Sequence, residues 1–244
     1  QAIEFFEQSL GIAREIDGSR TVIDLTGRHA GTGGARLVHT EIRPSPSDGA
    51  AHLRVVPHPI AIVLAEILHP LHRALGVREA VAVVLRPASD FGEEGIDELR
   101  QQTIRLLRFE SPPAEIFGDS LAFNLIPQGR LPGGEAGIER RIASEVAALF
   151  GWDDGRLAVR LVLVPVFRGH AISLRVRTER PADAGAVVQA LGCGRWLRSP
   201  GAKSAATPLS APEERRTDVA EVIEDGTGGF WLWAIAGEAA SAAA

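Results

Sequence analysis

At 244 residues, with 45% hydrophobic and 23% charged side chains, the chain can bury one large core or two modest ones. Its formal charge of −5 gives no reason to expect nucleic-acid binding, and no apolar run approaches the ~20 residues that span a bilayer. A single cysteine excludes an internal disulfide framework and a cysteine-rich zinc site, so a cytoplasmic protein without a metal centre is expected.

The elements follow from periodicity. Residues 3–17 place Phe5, Phe6, Leu10, Ile12, Ala13 and Ile16 at helical spacing, with Gly18 as a stop. No basic segment followed by an apolar one precedes them, so no secretory signal is read. The chain has no methionine and opens inside this helix, which predicts further residues ahead of Gln1. "TVIDLTG" reads as a short buried strand, making an αβ half-unit of a parallel sheet. Residues 28–52 read as irregular connection.

"RVVPHPIAIVLAEILHPLH" (54–72) starts a helix at Pro59, where a missing N–H costs nothing. Ile60, Val63, Leu64, Ile67, Leu68 and Leu71 form its apolar face, with a kink expected at Pro70. Then come a buried strand (79–86), a helix with early acids and late arginines (93–108), a strand over "SLAFNLIPQ", and a helix over "EAGIERRIASEVAALFG". A long strand (156–169), an alternating strand "HAISLRVRTE", a short helix "ADAGAVVQALG" and a hairpin turned at Asp225-Gly226 complete the order. This predicts a mixed sheet covered by helices on one side, with residues 198–217 the most loop-like.

Four sets of residues could carry chemistry. "GTGGAR" (31–36) and "DGTGGFW" (225–231) miss the spacing of a phosphate loop, and the second reads better as a hairpin turn. His58, His69 and His72 lack a carboxylate or thiolate at matching spacing and read as helix-surface residues. Cys193, between two glycines, has no feature that demands a lowered pKa. His170 follows a glycine where two strands meet, a place from which a side chain can enter a cleft, although an ordinary strand-end role is the simpler reading.

Several stretches together resemble the aspartate-semialdehyde dehydrogenase family. "EIFGDSLAFNLIPQ" resembles the family's A-F-N-x-I-P segment. "HPLHRALGVREAVAVVL", "GIDELRQQTIRLL", "GIERRIASEVAALFG", "LVPVFRGHAISLRV" and "LWAIAGEAASAAA" follow in family order. The resemblance implies an α/β and α+β fold in three parts. Residues 1–58 would be the C-terminal part of a Rossmann-like NAD(P)-binding domain, without its opening glycine-rich loop. Residues 59–225 would be the mixed-sheet dimerisation domain, and 226–244 a return segment toward the nucleotide-binding domain. A homodimer is implied, with NADP as cofactor only if residues ahead of Gln1 supply a working loop.

Family members attack the aldehyde with a cysteine at a helix N-terminus, helped by a glutamine and a histidine base, while an arginine grips the substrate carboxylate. Carried onto this sequence, the nucleophile position falls on Pro59, the glutamine on Arg86 and the substrate arginine on Leu163. The histidine survives as His170, and Glu139 and Arg141 match substrate-binding helix positions. The terminal cofactor-side pattern falls on Gly237 through Ala243 and keeps little beyond alanines. The resemblance therefore implies a catalytically inactive dimeric paralogue of the kind called Usg proteins. Two alternatives stand beside it. One is an active NADP-dependent dehydrogenase of amino-acid biosynthesis, and the other is a module that holds a small anionic metabolite on His170, Glu139, Arg141 and Arg86.

Overall fold

The computed structural model describes residues 22–24, 35–43, 53–153, 155–198 and 206–238. The helix expected over 3–17, the GTGGAR glycines and all of 239–244 lie outside these. Three short strands, β1 (Val22–Asp24), β2 (Ala35–Leu37) and β3 (Leu53–Val55), form a parallel sheet with β3 in the middle. The parallel pairing of β1 agrees with the sheet read from the sequence, whereas β2 falls within residues 28–52, expected to be irregular connection.

The larger sheet has seven strands: β4 (Val77–Arg86), β5 (Ile126–Pro127), β6 (Leu157–Leu163), β7 (His170–Thr178), β8 (Leu197–Arg198), β9 (Thr217–Glu224) and β10 (Gly229–Ala236). Their order is β5-β6-β4-β7-β10-β9-β8. β4 runs parallel to β6 and antiparallel to β7, so the sheet is mixed. Residues 229–236 form a central strand between β7 and β9, the second arm of the hairpin read from the sequence.

Helices α1 (Pro59–Leu75), α3 (Ile138–Phe150) and α4 (Ala184–Leu191) share one core with the sheet face carrying Ala80, Ala82, Val84, Ile172, Leu174, Val176, Phe230 and Leu232. All six residues of the predicted α1 face are buried, and each adds roughly 1.5–3 kcal/mol of transfer free energy. α1 continues through Pro70 and closes at Gly76, whose N–H donates to the His72 carbonyl. Helix α2 (Gly92–Leu107) instead packs a second, smaller cluster with Leu99, Phe117, Leu121 and Leu131.

Two expected strands are shorter than read. The 120–128 stretch pairs only at Ile126–Pro127, because the Leu121 and Ala122 N–H groups donate to Gln102 Oε1 at 2.7 and 3.0 Å rather than to a strand. β6 stops at Leu163 because the following Pro165 cannot donate to a ladder. The opposite face of the sheet, away from α1, α3 and α4, keeps Val81, Arg175, Trp231 and Ile223 on one rung, with Trp231 and Ile223 exposed.

Among the described residues no helix is long and apolar enough to cross a membrane.

Candidate functional site

Two helix N-termini and the end of β4 enclose a cavity of about 430 Å³. Its lining includes His58 and Pro59 from the start of α1, Arg86 from β4, Asp90 and Glu93 beside the start of α2, and Arg168 and His170. The sequence spreads these residues over more than a hundred positions, and the parallel β4–β6 and antiparallel β4–β7 pairings bring their strand ends together.

Asp90 sits in a short 3₁₀ turn (Ala88–Phe91) between β4 and α2. The turn is pinned to the segment before His170, since the Ala88 and Ser89 N–H groups donate to the Val166 and Phe167 carbonyls at 2.8 and 3.0 Å. Gly95 lets α2 pack against this turn, because a Cβ there would come within 2.5 Å of the Ala88 carbonyl oxygen. The Asp90 carboxylate lies 2.9 Å from His170 Nε2 and accepts from Arg86 Nε at 2.6 Å. Arg86 also donates to Gln128 Oε1 and lies 5.6 Å from the centre of the Phe91 ring. Burial acts to raise the Asp90 pKa, but the hydrogen bond and charge of His170, with Arg86 behind them, bring it below the ordinary carboxylate value. His170 is buried, and its Nδ1 has no hydrogen-bond partner. Gly169 adopts φ +85°, where a Cβ would meet the Ala211 Cβ at 2.8 Å, so the approach to His170 requires glycine.

His58 is the N-cap of α1. Its Nδ1 accepts from the Ile60 N–H at 3.1 Å, and its own N–H donates to Glu145 Oε2 at 2.6 Å. Burial first, then the charges of Arg141 and Arg86, lower its pKa to about 4, so the ring is neutral at pH 7. Glu145 itself is buried on α3, and desolvation raises its pKa. Pro59 occupies the first helical position.

The other expected positions lie elsewhere. Leu163 is fully buried in the α2 cluster, with no exposure to the cavity. Glu139 and Arg141 do not line the cavity either. Glu139 accepts from the Leu161 N–H at 2.8 Å and pairs with Arg160, while Arg141 pairs with Glu135 at 3.1 Å and Glu145 at 3.5 Å. His69 and Cys193 line a separate cavity of about 500 Å³ with Glu66, Arg73 and Trp196, none of which borders the first. The histidines of α1 therefore do not converge. His58 caps its start, while His72 accepts from the Val77 N–H and lies edge-on to Trp152 near its end.

The chain matches the semialdehyde dehydrogenase dimerisation domain over residues 68–227. It belongs to the semialdehyde dehydrogenase family. A USG-1 protein homolog of Pseudomonas aeruginosa is 34% identical over 180 residues, covering 72% of this chain and 54% of that protein. The aspartate-semialdehyde dehydrogenase of Rickettsia bellii is 36% identical over 137 residues, covering 55% of this chain and 40% of the relative. The crystal structure of aspartate semialdehyde dehydrogenase II from Vibrio cholerae superposes with a TM-score of 0.78 and 26% identity, over 91% of this chain and 70% of that one. The chain thus spans about half the length of the curated relatives it matches. Within this semialdehyde dehydrogenase fold, sequence reasoning missed Asp90 and Glu145. Asp90 follows Arg86 by four residues and could have been sought as its partner. Glu145, 87 positions from His58, carries no local signal.

Proposed function

We propose that this chain is a dimeric semialdehyde dehydrogenase-family protein that does not oxidise an aldehyde. The observation that supports this most is Pro59. It borders the cavity that holds His170, at the start of α1, where helix dipole and free N–H groups would lower a thiol's pKa. Proline has no nucleophilic atom. Losing a covalent nucleophile costs on the order of 10⁶ in turnover where it has been measured.

The remaining groups fit the same reading. His170 Nε2 faces the Asp90 carboxylate, which can only accept, so this nitrogen carries its proton and cannot take one from a nucleophile. Leu163 offers no charge for a substrate carboxylate. Cys193 borders the other cavity. The described residues do not fit a nicotinamide cofactor: among them no glycine-rich turn joins a strand to a helix N-terminus, and the cavity lining includes no thiol from which hydride could leave an adduct. No step is therefore assigned to NADP.

A second copy of the chain would cover the open sheet face. Val81 and Val83 on one side of Arg175, and Trp231 and Ile223 on the other, leave apolar side chains there, and two-fold self-pairing is the commonest way to bury such a face. Sedimentation is expected to give a dimer, and Val83→Arg a monomer with an unchanged fold. A wild-type monomer would contradict this part.

Activity is tested by mixing the protein with NADP, phosphate and aspartate semialdehyde and following NADPH absorbance. No rise above the uncatalysed rate is expected. Turnover that stops when Cys193 is alkylated would instead establish the active-enzyme alternative.

A further inference from the structure

The cations that border the His170 cavity already have carboxylates from the same chain. At the rim, Arg168 reaches Glu93 at 2.9 Å and Glu238 at 2.7 Å. Deeper in, Arg86 reaches Asp90. Two guanidiniums thus face three carboxylates, which is a poor receptor for an anion from solution.

The rim pairs are exposed and hold little. Asp90 is different. Its side chain is only 17% exposed, its two oxygens lie 2.9 and 3.2 Å from His170 Nε2, and one of them accepts from Arg86. The turn that carries it is tied to the backbone before His170, so the carboxylate is placed by the fold and not by a loose side chain. Arg86 is held independently, by Gln128 and by the face of Phe91. The guanidinium therefore keeps two contacts that do not depend on Asp90, and the buried His170 ring presents its Nε2 to the same seat.

Resting on the reading that the site no longer oxidises an aldehyde, we propose that Asp90 is an internal ligand. Its carboxylate fills the seat between Arg86 and His170 that a carboxylate or phosphate oxyanion from solution would take, and so closes the cavity to anionic metabolites. An Asp–His pair can also orient a catalytic base. That role needs the second ring nitrogen to face a nucleophile, whereas Nδ1 of His170 is buried without a partner and position 59 is proline.

The test is calorimetric titration of the purified chain with L-aspartate and, separately, with inorganic phosphate. Wild type is expected to give no binding heat with either. Asp90→Gly is expected to bind at least one of them, at least about tenfold more tightly than the wild-type detection limit, the gain set by charge-assisted hydrogen bonds left without their internal partner. The double variant Asp90→Gly/Arg86→Ala should lose that binding. Heat with aspartate but not phosphate assigns the seat to carboxylates, and the reverse assigns it to phosphate. Wild type binding as tightly as Asp90→Gly would overturn the proposal, as would a cooperatively melting Asp90→Gly that binds neither probe.

If Asp90→Gly does not fold, the ring nitrogen signals of His170 in ¹⁵N-labelled wild type decide. Their insensitivity to both probes supports an occupied seat, and a saturable shift overturns it. Turnover in the NADPH assay would sink the silent-paralogue reading on its own, so the two failures are distinguishable.

Discussion

The cavity at the start of α1 holds Pro59, Asp90 and His170, whereas the one beside the later turns of α1 holds His69, Arg73 and Cys193. The first has a helix N-terminus, a buried imidazole and preorganised charges, but its lining includes no thiol. The second has the thiol, but Cys193 is exposed and its Sγ donates to the Gln189 carbonyl at 3.6 Å. Its charges are also committed to packing. Glu66 meets Arg215 at 3.0 Å and His39 at 3.4 Å, and the guanidiniums of Arg195 and Arg215 lie 4.7 and 4.3 Å from the centre of the Trp196 ring. The comparison teaches that a histidine and a cysteine in one chain do not by themselves share a site. Chemistry needs both at one helix end, and here the fold keeps them in separate cavities.

The largest expected effect comes from placing an arginine at Leu163, where the family resemblance expects one. Leu163→Arg puts a charge into the α2 cluster and should cost at least ~4 kcal/mol, read as loss of the cooperative thermal transition. A stably folded Leu163→Arg that binds aspartate would show that the first cavity reaches this position after all.

Next is acid stability. The unfolded His58 ring titrates near the ordinary histidine value of 6.5 and the folded one near 4, so the unfolded chain takes up the proton first. The contribution is fully present above about pH 6.5 and is lost as pH falls toward 4, by about 2–3 kcal/mol. His58→Asn keeps a capping acceptor and should flatten this window in denaturant titrations. Glu145, with its raised pKa, opposes the loss within the same window and cancels in the comparison of variant with parent. Asp90, with a lowered pKa, contributes stability that is lost only below the ordinary aspartate value of 3.8, outside the window. An unchanged profile for His58→Asn would mean that the ring is not desolvated at this helix end.

Gly169→Ala should cost about 1–3 kcal/mol, through its positive φ and the approach to Ala211. A neutral result in chemical denaturation would mean that the floor of the first cavity is more tolerant than its geometry implies. The smallest effect sharpens the contrast between the two cavities directly. In Pro59→Cys, the new thiol should titrate at least about one unit below the ~8.5 of a free cysteine, seen as faster alkylation at pH 7 than at Cys193 in the same molecule. Equal rates at the two thiols would mean that the helix end confers nothing.

Much of this was legible because periodicity reports burial. The α1 face, the alternating strand at 170–178 and the hairpin at Asp225 follow from apolar spacing and turn chemistry, and the structure has each. In the hairpin, the Asp225 carboxylate accepts from the Thr227 and Gly229 N–H groups at 2.7 and 2.9 Å. The stretch 120–125 was misread because its strand-like residues carry no sign that Gln102, about twenty positions earlier, takes their N–H groups. The strand expected over 156–169 ends at Leu163, because Pro165 has no N–H for the ladder although the residues around it are apolar. In the site, the strand ends at Arg86 and His170 and the helix start at Pro59 were placed by family pattern, and the fold gathers them. What joins them, Asp90 and Glu145, is tertiary, and only the four-residue step from Arg86 to Asp90 left a local trace.

The central claim is that the lone thiol takes no part in aldehyde chemistry. The most direct measurement is the intact mass of the wild-type chain after incubation with NADP and aspartate semialdehyde in phosphate-free buffer, where an acylated cysteine would accumulate. The account predicts an unmodified Cys193 peptide. An acyl adduct on Cys193, released when phosphate is added, would contradict it.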